Sequence, residues 1–199
     1  MYFKDGWPTV VADHVPFDQY DVFTIEAWIK DWSGSIFDQG VSPVKDTWFK
    51  FYGSESGWRC DPQRQRASLP HIAGGKFWRH VAFTYDGVKY HSFIDGRLQE
   101  RGAGPRVPAW REKAKLRLGS IIRDLRINDG LMRSFQISSS VRYPGDSFEP
   151  PERLSAGDDT VLLYDFSKVE GDRVLDQSGN NRHGKLVQGW WLKHDGVYR

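Results

Sequence analysis

Between Phe77 and Glu100 the chain reads "FWRHVAFTYDGVKYHSFIDGRLQE", three short runs divided by Asp86-Gly87 and Asp95-Gly96. Those dipeptides tolerate positive φ, which two-residue hairpin turns require, so the stretch is a three-stranded meander. The same alternation recurs elsewhere. In "VFTIEAWIK", Phe23, Ile25, Ala27 and Ile29 fall on one side and Thr24, Glu26, Trp28 and Lys30 on the other, the period of a half-buried strand. "AKLRLGS" and "IIRDLRIND" alternate in the same way, Leu116 with Leu118, Ile121 with Arg123 and Leu125 with Ile127. "DGLMRSFQ" is the one stretch whose spacing suits a short helix. "YPGDSFEPPERLSAGDD" is rich in Pro, Gly and acid, and is expected to run over the surface as a connection.

Many short strands and almost no helix imply a sandwich or a barrel. Nine Trp, twelve Phe and eight Tyr fall mostly in runs punctuated by Gly, Pro, Asp or Asn, as in β-rich domains. The 199 residues suit one domain, 1–199, with a sizeable core. Lys and Arg total 28 against 26 for Asp and Glu, interspersed rather than striped, so a nucleic-acid partner is not expected. Cys60 is alone and excludes an internal disulfide or a multi-cysteine zinc site. No uninterrupted apolar stretch is long enough to insert in a membrane, and "MYFKDGWPTV" lacks the pattern of a signal peptide.

Taken in order, "FTIEAWIK", "WRHVAFTYDGVKYHSFIDGRL", "RDLRI", "SVRYPGDSFEPPERL", "TVLLYDF" and "DQSGNNRHGKL" resemble the laminin-G-like branch of the concanavalin A-like lectin/glucanase superfamily, over roughly residues 20 to 193. The resemblance implies an all-β jelly-roll sandwich of two antiparallel sheets. It also implies a bacterial module of a larger protein in an extracellular, cell-surface or periplasmic setting. The absence of the animal laminin-G disulfide favours the bacterial branch.

"DQSGNNRHG" carries no aliphatic or aromatic residue, although it lies between two strand-like runs. Asp176, Ser178 and Asn180 offer oxygens at alternate positions and Gly179 and Gly184 permit sharp bends, which suits calcium, a hard cation that takes six or more oxygens. By resemblance Asp176 is the matching carboxylate ligand, with Asn180 and His183 behind it; His183 would lend its carbonyl, since imidazole is a poor calcium ligand. Asp13, Asp18 or Asp21 would add ligands if the terminal strands pair. Such a site would bind on the order of 0.1 to 1 mM and would be structural. The alternative is an ion-free Asx-type turn in which Asp176 accepts hydrogen bonds from the amides of Ser178 and Gly179.

Glycanases of that superfamily set acids along one strand as "E-x-D-x-x-E", on one face. The nearest spacing here, Glu170-Gly171-Asp172, is followed by Leu175 where the second acid should stand, and Glu26 is alone on its strand. No nucleophile elbow and no phosphate loop occurs, so a non-catalytic binding domain is expected. Sugar leads as ligand class, because aromatic rings stack on pyranose faces. The candidates are Trp32, Trp48, Tyr52, Trp58 and Trp110, with Trp48 and Tyr52 on one face if "TWFKFY" is a strand; Arg59, Arg64 and Arg66 offer forks for a carboxylate on an acidic glycan. Trp28 and Trp78 are assigned to packing, and Trp190 and Trp191 to opposite faces of a strand. A glycan or glycoprotein is thus the expected partner, with a protein partner as the alternative and a glycoside hydrolase of the same fold behind both.

Overall fold

The period-two runs become strands. The computed structural model describes residues 2–3, 9–13, 15–16, 20–33, 35–40, 48–52, 58–61, 65–67, 77–103, 115–119, 129–187, 191–193 and 196–198. In chain order the strands are β1 (Tyr2–Phe3), β2 (Thr9–Ala12), β3 (Phe23–Ser33), β4 (Ser35–Gly40), β5 (Trp48–Tyr52) and β6 (Trp58–Asp61). Next come β7 (Gln65–Ala67), β8 (Arg79–Tyr85), β9 (Lys89–Ile94), β10 (Arg97–Ala103), β11 (Lys115–Leu118) and β12 (Asp129–Ser138). The chain closes with β13 (Thr160–Glu170), β14 (Arg173–Asp176), β15 (Gly184–Val187), β16 (Trp191–Lys193) and β17 (Gly196–Tyr198). The described residues contain no helix.

Hydrogen bonding runs through one antiparallel path, β10-β9-β8-β3-β12-β13-β14-β15-β2-β11-β4-β5-β6-β7, with β1 beside β12 and β16 paired to β17. The path folds back on itself, because Phe37 of β4 packs on Phe135 of β12 with ring centroids 5.6 Å apart although the two strands are distant along it. Two layers therefore face each other, as a jelly roll requires. Between them lie Ile25, Ala27 and Ile29 of β3, Val81 and Phe83 of β8, Met132, Phe135 and Ile137 of β12, and Val10, Phe37, Leu116 and Leu118 opposite.

The "DGLMRSFQ" stretch is strand β12, not helix. It pairs with β3 along most of its length and with β13 over its second half, and its register slips at a bulge between Met132 and Ser134. The extra residue turns Met132 and Phe135, three apart, to the same core, and that spacing mimics a helical one. The "IIRDLRIND" run lies outside the described residues up to Asn128, so its strand reading is not addressed.

The outer face of β12, β3 and β8 is polar, with Thr24, Glu26 and Trp28 in register with Thr84, Ala82 and His80 on one side and with Ser138, Gln136 and Ser134 on the other. Thr24, Glu26, His80, Gln136 and Ser138 are nonetheless fully buried. Residues 143–159, expected as a surface connection, form with 139–142 a strap over this face. Thr24 Oγ1 donates to the Ser140 carbonyl, Trp28 Nε1 to Pro151 and Gln136 Nε2 to Ser155. Gly96, at φ +71°, lets the strap dock on the second hairpin turn: the Phe148 amide donates to its carbonyl, and a Cβ there would strike the Phe148 carbonyl oxygen.

Candidate functional site

Toward the two ends of the chain β15 pairs with β2, the kind of terminal pairing on which added ligands from Asp13, Asp18 or Asp21 depend. Gly184 makes this possible. A Cβ there would stand 2.6 Å from Val10 Cγ1, so only glycine lets β15 come this close.

The loop before it gathers Asp176, Ser178, Asn180 and His183. Asp176 is buried, and each of its carboxylate oxygens takes two hydrogen bonds. Oδ1 accepts from the Leu163 and Ser178 amides at 3.1 and 2.9 Å, and Oδ2 from Ser178 Oγ and the Arg182 amide at 2.8 and 2.9 Å. The Asp176 amide donates to His183 Nδ1 at 3.0 Å. Asn180 Nδ2 donates to the Thr160 and Val161 carbonyls at 3.1 and 3.0 Å, and the Arg182 guanidinium also donates to Val161, at 2.9 Å. Tyr164 OH closes the group by donating to the Arg182 carbonyl at 2.6 Å. Burial, then the negative charges of Asp176 and Asp13, push the Tyr164 hydroxyl far above its ordinary value of 10.0. Asp13 is thus electrostatically close to the loop, whereas Asp21 bears on Tyr85 and Asp18 lies outside the described residues.

A calcium cradle aims bare oxygens at one point. In this loop the carboxylate oxygens and the Val161 carbonyl already face N–H and O–H donors, and a guanidinium stands among them. Among the described residues no three His, Cys, Asp or Glu side chains form a metal cluster. Arranged this way, the residues do not fit calcium; they build an Asx-type clasp that ties β13, β14 and β15 together.

The sugar candidates lie on the other arm of the path. Trp48 and Tyr52 stand on β5, and Trp58 and Arg59 on the adjacent β6. The register pairs Trp48 with Asp61, Lys50 with Arg59 and Phe51 with Trp58. On the other edge of β5, Trp48 pairs with Gly40, Lys50 with Asp38 and Tyr52 with Ser35 of β4. Trp110, Arg64 and Trp190 lie outside the described residues. Trp32 is a correction: it is 1% exposed and belongs to the core. Trp28 packs as expected, edge-on to His80, and the Arg133 guanidinium sits over its ring at 5.3 Å and over Trp78 at 4.5 Å.

A laminin-G-like family model, described as the concanavalin A-like lectin/glucanases superfamily, matches residues 6–146. The chain belongs to that superfamily. No curated protein sequence matches it. Among solved structures of the same fold, a candidate carbohydrate binding protein from Bacteroides ovatus ATCC 8483 superposes with a TM-score of 0.59 at 16% identity, covering 99% of this chain. The chain spans only 58% of the length of that protein. The CBM40 of the Ruminococcus gnavus IT-sialidase, bound to α2,3-sialyllactose, superposes with a TM-score of 0.50 at 13% identity over 70% of this chain and 90% of its own.

Hydrolases of the superfamily need exposed, paired carboxylates. Glu170 and Asp172 of this member are exposed and flank Gly171, which takes φ +61° in the tight β13–β14 connection. Glu26 is not alone in space, and here the sequence reading missed a cluster. His80 Nε2 lies 3.0 Å from Glu26 Oε2, Tyr143 OH donates to the same oxygen at 2.6 Å, and Arg142 Nε approaches Oε1 at 3.4 Å. Glu26 and His80 are both 0% exposed, so no dissolved substrate reaches them and the group is a structural pin under the strap. The available signal was an ionisable residue set against apolar neighbours in two strand-like runs, Glu26 in "TIEAW" and His80 before "VAF".

Proposed function

We propose that this domain is a non-catalytic carbohydrate-binding module of a larger secreted or surface protein. The observation that carries the reading is the superfamily fold, with the aromatic residues Trp48 and Tyr52 on β5 and Arg59 on the paired strand β6. Aromatic residues on a strand can stack the apolar faces of successive pyranose rings while neighbouring polar groups read the hydroxyls. The superfamily fold, shared with carbohydrate-binding proteins, supports it. A glycan array with the intact domain tests it. Retention of a defined glycan is expected, with loss of signal in Trp48→Ala and Tyr52→Ala at unchanged thermal midpoint. No retention, or retention indifferent to both substitutions, overturns the reading and moves weight to a protein partner.

A further inference from the structure

The strap leaves one corner of the outer face partly open: Trp28, Trp78 and Arg133 are half-buried there, whereas Glu26 and His80 beside them are not exposed at all. Arg133 is the extra residue of the β12 bulge, between Met132 opposite Ile29 and Ser134 opposite Trp28. A bulge re-aims the side chain it frees, and this one carries the guanidinium onto the indoles of Trp28 and Trp78, 5.3 and 4.5 Å from their centroids. Trp28 is fixed in turn, its Nε1 donating to the Pro151 carbonyl at 3.0 Å. Of the five N–H donors an arginine carries, one on Nη1 of Arg133 reaches the Glu152 carbonyl at 3.5 Å; the others meet no acceptor among the described residues. Phe77, one position before Trp78, is 77% exposed, more than any other large apolar side chain among the described residues. Packing accounts for the covered faces of the guanidinium, but not for its idle donors or for a bare ring next in the chain.

We propose that this corner is a second glycan subsite, built for a neutral pyranose. The sugar's C–H face rests against Trp78 and Phe77, and its vicinal hydroxyls accept from the in-plane N–H groups of Arg133. Trp28 and the strap carbonyls are positioning groups that hold the guanidinium plane. With indoles over its faces, the guanidinium donates only along its edge, which fixes the direction from which oxygens approach. Neighbouring charges do not select an acid: Lys30 adjoins Asp31, Glu152 adjoins Arg153, and Arg79 is paired with Asp95 at 2.6 Å. The subsite rests on the carbohydrate reading above, though not on strands β5 and β6, and it moves Trp78 from packing to contact.

The isotope-labelled domain is titrated with neutral hexasaccharides of glucose, xylose, mannose and galactose, and with any glycan the array retains. Indole N–H and Arg133 Nε–H signals are followed by NMR, each indole assigned from the variant that lacks it. Saturable shifts are expected at Trp78 and Arg133 with at least one glycan, and none at the core residue Trp32. Affinity should change by less than about twofold between low and high salt, since no charge pair forms. Arg133→Gln, which keeps an amide donor and loses the fork, should weaken binding by about threefold to tenfold, the worth of one hydrogen bond to a neutral acceptor. Trp48→Ala should leave the Trp78 shift unchanged. Shifts confined to Trp48, or Trp78 and Arg133 unmoved by a glycan that the array retains, overturn this subsite and leave the carbohydrate reading standing. Affinity that falls steeply with salt overturns the neutral ligand. No shift with any hexasaccharide, together with an empty array, overturns both readings. The titration itself uses the unaltered protein, so its outcome does not depend on a variant folding.

Discussion

Glu26 is the side chain on which the polar layer turns. A carboxylate taken out of water is tolerated only where partners surround it, and His80, Tyr143 and Arg142 do so from β8 and the strap. Glu26→Ala should cost about 3–5 kcal/mol in urea unfolding, because it leaves three polar partners unanswered in a buried site. Tyr143→Phe keeps the stack on Phe148, whose ring lies 3.5 Å away, and should cost about 2 kcal/mol by losing one bond to a charged acceptor. Alkali acts on the same groups. Burial first, then the Glu26 charge, raises the Tyr143 hydroxyl well above its ordinary 10.0, and burial with Asp176 does the same for Tyr164. Above pH 10 the unfolded chain releases these protons and the folded one keeps them, so the stability they lend, complete below pH 10, drains away as pH climbs further. Spectrophotometric titration should show tyrosines that ionise only together with the loss of tertiary circular dichroism.

At the scale of elements, the clasp between β14 and β15 is expected to hold without metal. An ion bound at about 1 mM and supplied in tenfold excess would raise the thermal midpoint by roughly 3–5 °C. For this loop, calorimetry in excess calcium and in excess EDTA should give the same midpoint. Asp176→Asn should lower it equally in both, by setting an amide against donors. A calcium-dependent rise that disappears in Asp176→Asn would reverse this reading. How much of these elements the sequence disclosed depended on whether local rules alone decided them. The β8–β10 meander was legible because Asp86-Gly87 and Asp95-Gly96 fix their turns without help. β12 was not, since one bulged residue disguised its period and only pairing with β3 and β13 decides it. The oxygens of the "DQSGNNRHG" loop were legible as a set. Which donors they would face was not, because Leu163, Thr160 and Val161 arrive from a different strand. The Glu26–His80 contact spans 54 positions, and no local pattern announces that.

Across the whole molecule, one hydrogen-bonded path carries both layers, so stability should grade from its interior strands with buried core faces to its ends. β3 lies between β8 and β12, and β10 ends the path. Native-state hydrogen exchange should therefore be slowest for the amides of β3 and β12 and fastest along β10, whose residues alternate between exposed and half-buried. Equal protection of β10 and β3 would contradict that order. The setting of β2 reaches beyond equilibrium. Thr9 lies opposite Val187, and Val10 opposite both Leu118 and Leu186. A ribosome must make nearly the whole domain before β2 finds its second neighbour, so until then an apolar ribbon waits with an open edge. Loops this long close slowly, and the nascent chain has reason to meet a chaperone before it meets its own tail.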